Sequence, residues 1–343
     1  GKNHEHDGSF GQHVSALDLL LPDGTQRTVT PADTDLFQAT VGGIGLTGFI
    51  TRIVFRMRRV PGGQALVREQ RVGDLDAFLA AMEGGAGAPY SVGWIDGTGT
   101  GARLGRGILE TAEPGGGGYG QSLERRRAVP VDFPGFALNP LSIAAFNEVY
   151  FRRVPAAGRE RLRAWRDFLY PLDAIDGWNR IYGKRGFVQF QCVVPFAGGA
   201  VALRRLLEIT SASHRASFLA VLKRMGAGRA GFLSFPMPGY TLALDFPRGP
   251  GIADLYARLC AVCLEAGGRV YLAKDALLEA ETFRPMYPEI VRFEEVLGGI
   301  DPGGRMQNDM ARRLGIKRRG SGAPGPSGSR AEPWPPEASL PNG

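Results

Sequence analysis

The residues best suited to chemistry stand at the start of the chain, Gly1-Lys-Asn-His-Glu-His-Asp-Gly-Ser-Phe-Gly11. Gly1, Gly8 and Gly11 frame Lys2, Asn3, His4, His6, Ser9 and Phe10. This is the composition of a loop whose backbone comes close to a ligand while a cation and hydrogen-bond donors face it. A metal site from His4, Glu5, His6 and Asp7, with His13 beyond, is a second reading, and a plain polar loop a third. Coordination needs side chains converging at fixed distances, which alternating residues in a glycine-rich loop do not supply. Further on, Gln189 and Gln191 alternate with apolar residues, so both amides point to one side of a strand. Cys260 and Cys263 are spaced C-x-x-C inside a helical pattern over 252–266, which puts both near one face of a helix. Two small core residues is the simpler reading there, a redox pair the other. Lys274 ends a β-run, and Asp275 opens a helical stretch over 276–283; at such a junction a side chain can be held rigidly toward a ligand. The alternative is a surface lysine paired with Asp275 or Glu279, contributing only about 0–1 kcal/mol.

The pattern around these residues predicts the elements that hold them. Residues 13–21 and 25–30 read as a hairpin about the turn Pro22-Asp-Gly24, followed by a short helix over 33–40. Glycines at 42, 43, 45 and 48 suit close backbone approach or a crowded turn, and a strand over 49–57 follows. Pro61-Gly-Gly63 breaks the pattern and marks a lobe boundary. A helix over 74–83 and a strand over 89–96 carrying Trp94 come next, with glycine-rich loops at 84–87 and 113–120. Residues 141–169 are basic and aromatic, containing Phe146, Tyr150, Phe151, Arg152, Arg153, Arg159, Arg161, Arg163, Trp165 and Arg166. That run is either a solvated arginine face or a mobile cap that meets a phospholipid-like substrate or an anionic membrane surface. Strands at 187–195, 217–223, 239–246 and 269–271, interleaved with a helix over 200–210, give the look of an α+β lobe. The stretch 317–343 is Gly, Pro, Ser and charge with little to bury besides Trp334, and is expected to be disordered.

With 343 residues and 43% hydrophobic content, the chain is long enough for one large core or two ordinary ones. Three cysteines build no disulfide framework at this length. The balance of 41 Lys+Arg against 34 Asp+Glu gives +7, which favours acidic partners without choosing among phosphate, anionic lipid and nucleic acid. No apolar run reaches the ~18 residues that would span a bilayer.

The opening loop, with its Gly-Lys-Asn-His and Gly-Ser-Phe-Gly-x-His-Val, also resembles the flavin-contacting loop of the decaprenylphosphoryl-β-D-ribose 2′-oxidases, within the vanillyl-alcohol-oxidase type of flavoprotein. The likeness continues through Thr40-Val-Gly-Gly-Ile-Gly-Leu-Thr-Gly48, Gly177-Trp-Asn-Arg-Ile-Tyr-Gly183, Phe187-Val-Gln-Phe-Gln191, Leu233-Ser-Phe-Pro-Met-Pro-Gly239 and Asp245-Phe-Pro247. It then runs on through Tyr271-Leu-Ala-Lys-Asp275, Ala280-Glu-Thr-Phe283, Met286-Tyr-Pro288 and Asp309-Met-Ala-Arg-Arg-Leu314. These blocks fall in family order and reach Ile316.

The resemblance implies an α+β, two-lobed flavoprotein. Residues 1–60 and the returning segment 269–316 would form the FAD-binding domain, and 61–268 a substrate domain with an antiparallel sheet over the flavin ring. It implies that a segment carrying the glycine-rich pyrophosphate turn precedes Gly1, so the chain is expected to be N-terminally truncated; the first methionine is Met57. On the family pattern Gly1, Lys2, Asn3, His4, Gly8, Ser9, Phe10, Gly11, Ile50 and Tyr271 contact FAD. Lys2, Trp94, Tyr182, Gln191, Lys223 and Lys274 line the substrate side. The implied reaction takes the 2′-hydroxyl of decaprenylphosphoryl-β-D-ribose to a 2′-keto sugar, which a partner keto-reductase converts to the arabinose epimer. The implied setting is the envelope of an actinobacterium, periplasmic or with peripheral membrane contact, and nucleic acid is not an expected partner. Thr241 and Ala243 depart from the family's Asn and Cys, which leaves substrate preference within the group open. Another oxidase of the type, acting on an aldonolactone or alditol, a basic binding module and an inactive fragment are the alternatives.

Overall fold

A computed structural model describes residues 4–118, 127–215 and 218–317. Gly1, Lys2, Asn3 and the tail 318–343 lie outside the described residues. Strands β1 (Val14–Leu20), β2 (Gln26–Val29) and β3 (Phe49–Phe55) form a small antiparallel sheet in the order β2-β1-β3. The hairpin closes where the Asp23 carboxylate accepts from the Thr25 N–H at 2.9 Å and its hydroxyl at 2.7 Å, the local bond that makes Asp a turn residue. One face of this sheet buries Val14, Leu17, Leu19 and Val29 against Leu36 and Phe37 of α1 (Thr34–Thr40). All seven residues of β3 are exposed. The glycines after α1 serve a crowded turn: a Cβ at Gly43 would lie 1.9 Å from the Ala39 carbonyl oxygen, and one at Gly48 would lie 2.4 Å from that of Leu20.

The main sheet has eight strands, every neighbouring pair antiparallel, in the order β13-β10-β12-β11-β5-β6-β4-β8. These are β4 (Gln64–Val72), β5 (Tyr90–Ile95), β6 (Gly107–Gly116), β8 (Arg159–Ala164), β10 (Phe187–Val194), β11 (Ala220–Met225), β12 (Gly239–Pro247) and β13 (Arg269–Val270). Two short strands, β7 (Arg127–Ala128) and β9 (Ile175–Asp176), pair in parallel apart from it. Alternation divides the main sheet into two faces. Val188, Phe190, Cys192, Leu242, Leu244, Phe246 and Leu222 point into the principal core, against α2 (Leu75–Gly84), α5 (Gly199–Ala212) and α6 (Ile252–Glu265). Asp74 caps α2 by accepting from the Ala77 N–H at 2.9 Å. Cys260 and Cys263 are free, buried members of this core, as is Cys192.

The same core takes in α7 (Ala280–Met286), α8 (Ile290–Ile300) and α9 (Asp309–Arg313) through Phe283, Tyr287, Phe293, Leu297, Ala311 and Leu314. Helix α8 packs against α1, Arg292 pairs with Asp35 at 2.6 Å, and Asn308 Nδ2 donates to the Ile44 carbonyl at 2.8 Å, so the last elements fold back on the first.

The second face of the main sheet is the one that matters for chemistry. At its β4–β8 end it is covered by α3 (Pro140–Arg152) and α4 (Trp165–Leu169), with Phe168 and Trp165 packed on Ala65, Val67 and Ala112. Arg153, Arg159, Arg161 and Arg163 turn to partners within the fold rather than forming a solvated face, whereas Arg152 and Arg166 are exposed. Arg159 and Arg161 pair with the fully buried Glu69 at 2.7 and 2.9 Å, and Arg153 pairs with Glu110 at 3.0 Å. Strand parity explains the arrangement, because Glu69 lies opposite both Glu110 and Arg159. Two further expectations are corrected. Residues 113–116 extend β6 because they pair with β4 as far as Gln64, and 276–279 are not helical. There the Asp275 side chain accepts from the Leu277 and Leu278 N–H groups, and α7 starts only at Ala280.

Candidate active site

Gln191, Ala243, Val221 and Trp94 are consecutive cross-strand partners on β10, β12, β11 and β5, and so stand in one row on the second face. At a strand spacing of about 4.8 Å the row is roughly 14 Å long. The next row is Val193, Thr241 and Lys223, and on the other side Gln189 faces Asp245. Of the sequence-predicted residues, the sheet thus brings Gln191, Lys223 and Trp94 together. Gln191 Nε2 donates to Thr241 Oγ1 at 3.1 Å, and Trp94 Nε1 donates to the Phe218 carbonyl at 2.8 Å.

Tyr182 reaches this face through Asp245, and the Lys274 charge acts on the same carboxyl. Tyr182 sits in a 3₁₀ turn bracketed by Gly177 and Gly183, both at positive φ, a backbone that suits glycine. Its hydroxyl donates to Asp245 Oδ2 at 3.3 Å, while Gln189 Nε2 donates to Oδ1 at 2.9 Å. Burial pushes the Asp245 carboxyl up to about 6; the Gln189 amide, the Lys274 charge and the Tyr182 hydroxyl offset only part of that. Lys274 closes the short 3₁₀ turn Leu272–Lys274. The competing partner Asp275 is occupied by Arg313 at 2.7 Å and by the Tyr256 hydroxyl at 2.9 Å. Tyr271 is fixed by its N–H bond to the Gln191 carbonyl at 2.8 Å, and its ring stacks on Phe235 with centroids 4.6 Å apart.

The opening loop docks beside these rows. The Ser9 N–H donates to the Gly228 carbonyl at 3.1 Å, Glu5 pairs with Arg224 of β11 at 2.7 Å, and the His4 ring meets Tyr90 of β5 edge-on at 4.7 Å. Its glycines are needed for that docking: a Cβ at Gly11 would lie 2.4 Å from Val41 Cγ1. The side chains weighed for a metal diverge. Glu5 goes to Arg224, Asp7 to Arg58 at 2.9 Å, and His13 Nε2 to the Asp7 carbonyl at 2.9 Å. His4 Nδ1 accepts from the Asp7 N–H at 3.0 Å, which leaves the ring proton on Nε2. Burial lowers the His4 pKa, so the ring is neutral at pH 7. That Nε2 atom and Ser9 Oγ are buried with no hydrogen-bond partner among the described residues. A buried unsatisfied donor costs about 1–3 kcal/mol, so a ligand edge bearing acceptors fits here. Phe10 and Ile50 are exposed, Phe10 touching Phe55 at 5.2 Å and Ile50 lying on β3 in the small sheet.

Asp245 was within a recognised sequence block but had no assigned part. The signal was available: it is the one charged residue of β12, at the same parity as Thr241 and Ala243, while Leu242, Leu244 and Phe246 alternate into the core. The run of aromatic rings beside it was not legible. Trp94 touches Tyr150, Tyr150 stacks on Phe146, Phe146 meets Phe218, and Phe218 stacks on Tyr182, a chain assembled from four distant segments.

With this arrangement established, comparison with known proteins is decisive. The chain is 35% identical over 328 residues to the decaprenylphosphoryl-β-D-ribose oxidase of Mycolicibacterium smegmatis, covering 92% of this chain and 71% of that protein. It belongs to that family. Residues 186–314 also match the family model of D-arabinono-1,4-lactone oxidase. A Streptomyces coelicolor protein described only by its position in the mprA 5′ region is 32% identical over 332 residues, covering 92% of this chain and 90% of its own length. As a member of the decaprenylphosphoryl-β-D-ribose oxidase family, the chain falls among FAD-dependent oxidoreductases. The 186–314 match spans β10, β12, Tyr271 and Lys274, the elements that carry Gln191, Asp245 and the lysine.

Proposed function

We propose that this protein, with FAD bound, oxidises the 2′-hydroxyl of decaprenylphosphoryl-β-D-ribose to the 2′-keto sugar. The observation that carries the reading is the grouping of Gln191, Asp245 and Lys223 on one sheet face, with Tyr182 bonded to Asp245 and the Lys274 charge acting on it, beside a loop holding two buried polar atoms with no partner among the described residues. On this reading the chain is a two-lobed flavoprotein of the vanillyl-alcohol-oxidase type. Residues 1–60 and 269–316 hold the flavin and 61–268 the substrate, as the contact of α1 with α8 supports. His4, Ser9 and the backbone of 8–11 would meet the polar edge of the flavin, and Tyr271 its flank.

Bound FAD supplies an acceptor for the hydride that leaves the alcohol carbon. The chain's own residues orient the alcohol and balance charge. Lys274, beside Asp245, is placed to hold the sugar oxygen and offset negative charge arriving with the hydride. The Asp245 carboxylate is ionised above about pH 6, and Gln191 and Lys223 present donors along the row. Lysines also suit a substrate carrying phosphate. The keto product would pass to a reductase that completes the epimerisation, in the envelope of an actinobacterium.

The test is anaerobic mixing of FAD-loaded protein with decaprenylphosphoryl-β-D-ribose in one arm and with a soluble aldonolactone or alditol in the other. Bleaching of the flavin by the lipid-linked sugar alone is the expected result. Bleaching by the soluble sugar alone would assign the protein to the aldonolactone or alditol oxidases instead.

A further inference from the structure

The opening loop straddles the main sheet, and adjacent residues of it reach opposite faces. His4 meets Tyr90, which lies opposite Ala112 and packs on Trp165 on the second face. Glu5 turns instead to Arg224. Because Lys223 belongs to the second face, strand alternation sends Arg224 to the core side, where it lies opposite Tyr240. The Glu5 carboxylate accepts from Arg224 Nε at 2.7 Å, with the two side chains only 15% and 13% exposed. The guanidinium is also held from the core side. It pairs with Glu83 at the end of α2, the Tyr240 hydroxyl donates to that same carboxylate at 2.6 Å, and the Phe196 ring centre stands 4.6 Å away.

The backbone just past β11 receives the loop as closely. A Cβ at Gly226 would lie 1.9 Å from the Glu5 carbonyl oxygen, and one at Gly228 would lie 2.7 Å from Gly8 Cα. Glycine contacts permit close approach, but a charge-assisted bond to a guanidinium already fixed by other groups sets a position. We infer that Glu5 and Arg224 are positioning residues: their pair, made on the core side of the sheet, sets where His4 and Ser9 stand on the second face. Without it the loop keeps its glycine contacts but is free to lift, and the His4 ring gains water. The pair itself needs no flavin; its consequence for FAD rests on the oxidase reading.

The experiment follows the His4 imidazole by NMR titration of flavin-free protein, its signal assigned with His4→Gln. Burial, with smaller contributions from His6, Arg58 and Lys223, holds that ring below the ordinary histidine value, and Asp7 offsets only part of this. In Glu5→Ala the ring should titrate closer to the ordinary value, and Arg224→Met should do the same. The doubly substituted protein should shift no further than either, as expected of two residues that act through one contact. Glu5→Gln can still accept from Arg224 and should stay near wild type. Glu5 lies in a loop, so a melting curve of Glu5→Ala close to that of wild type will show that the fold is kept. With FAD added, Glu5→Ala should bind it about tenfold less tightly, read by flavin fluorescence. An unchanged His4 titration in Glu5→Ala, additive shifts from the two substitutions, or a Glu5→Gln shift as large as that of Glu5→Ala would overturn the proposal. Since that titration is made without flavin, it decides the role of the pair whether or not the oxidase reading holds.

Discussion

Two buried carboxylates stand on the same sheet face and are treated in opposite ways. At the β4–β8 end Glu69 is fully enclosed; burial pushes its carboxyl up, but Arg161, Arg159 and Arg153 outweigh that and hold it below the ordinary range. At the β10–β12 end Asp245 is equally enclosed but bonded by two neutral donors, and its carboxyl rises to about 6. The first environment stabilises charge permanently and ties α3 and β8 to the sheet. The second leaves a carboxyl that changes state near neutrality, which is the setting expected of a group that works with a ligand.

The strongest way to break this contrast is at Glu69. Glu69→Ala leaves three guanidinium groups facing a cavity, and denaturant unfolding should show a loss of about 3–5 kcal/mol. A variant as stable as wild type would show that the arginine cluster is ornamental to the fold. At the other end Lys274→Ala should keep fold and bound flavin yet slow flavin reduction by the alcohol about 100- to 1000-fold, followed by stopped-flow absorbance. Lys274→Arg should not restore it, since a planar fork differs in shape from an ammonium. Bleaching within a few-fold of wild type would remove the lysine from the chemistry.

A subtler test uses pH. Because the folded-state value of Asp245 is raised from 3.8 to about 6, its ionised form costs stability above pH 6, and the cost disappears as pH falls toward 4. The stability difference between Asp245→Asn and wild type should therefore shift by about 2 kcal/mol in favour of Asn between pH 4 and pH 7. Glu69→Gln should behave in the opposite sense: wild type holds its advantage above pH 4.5 and loses it as acid titrates the lowered carboxyl. Parallel pH trends for the two variants would erase the distinction. The smallest effect concerns thiols. Cys192, Cys260 and Cys263 are all buried in the core, and burial pushes Cys260 far above the ordinary thiol range, so native protein should consume almost no thiol reagent. Ala243→Cys, half-buried in the row beside Gln191, should supply the one site that labels, read by intact mass.

Much of this was legible because its signals are local. The β1–β2 hairpin rested on Pro22-Asp-Gly24, and the shared side of Gln189 and Gln191 on strand alternation. What failed depended on partners distant in sequence. Nothing near Arg159 or Arg161 reveals that Glu69 waits about 90 positions earlier, so their run reads as a solvated face or a mobile cap until the register of β4 with β8 is known. Likewise 276–279 has helical composition, and the Asp275 carboxylate, accepting from two N–H groups ahead of it, holds the chain in a turn, with Arg313 donating to the Leu278 carbonyl. The partners of Asp245 lie 56 and 63 residues away, which is why its chemistry emerges from the fold rather than from its neighbours.

The exposed edge of the small sheet has a consequence for how the molecule behaves in a tube. Strand β3 offers unpaired backbone and the apolar side chains of Phe49, Ile53 and Phe55 together, which is a template for another strand. Like charge works against such pairing, since Arg56 and Arg59 just past the strand are exposed, while exposed Arg52 and Arg58 are paired with Asp18 and Asp7. Salt that screens them shortens the repulsion to a few ångströms. The chain should therefore be most dispersed in dilute buffer and turn turbid as salt is added, the reverse of proteins that salt dissolves.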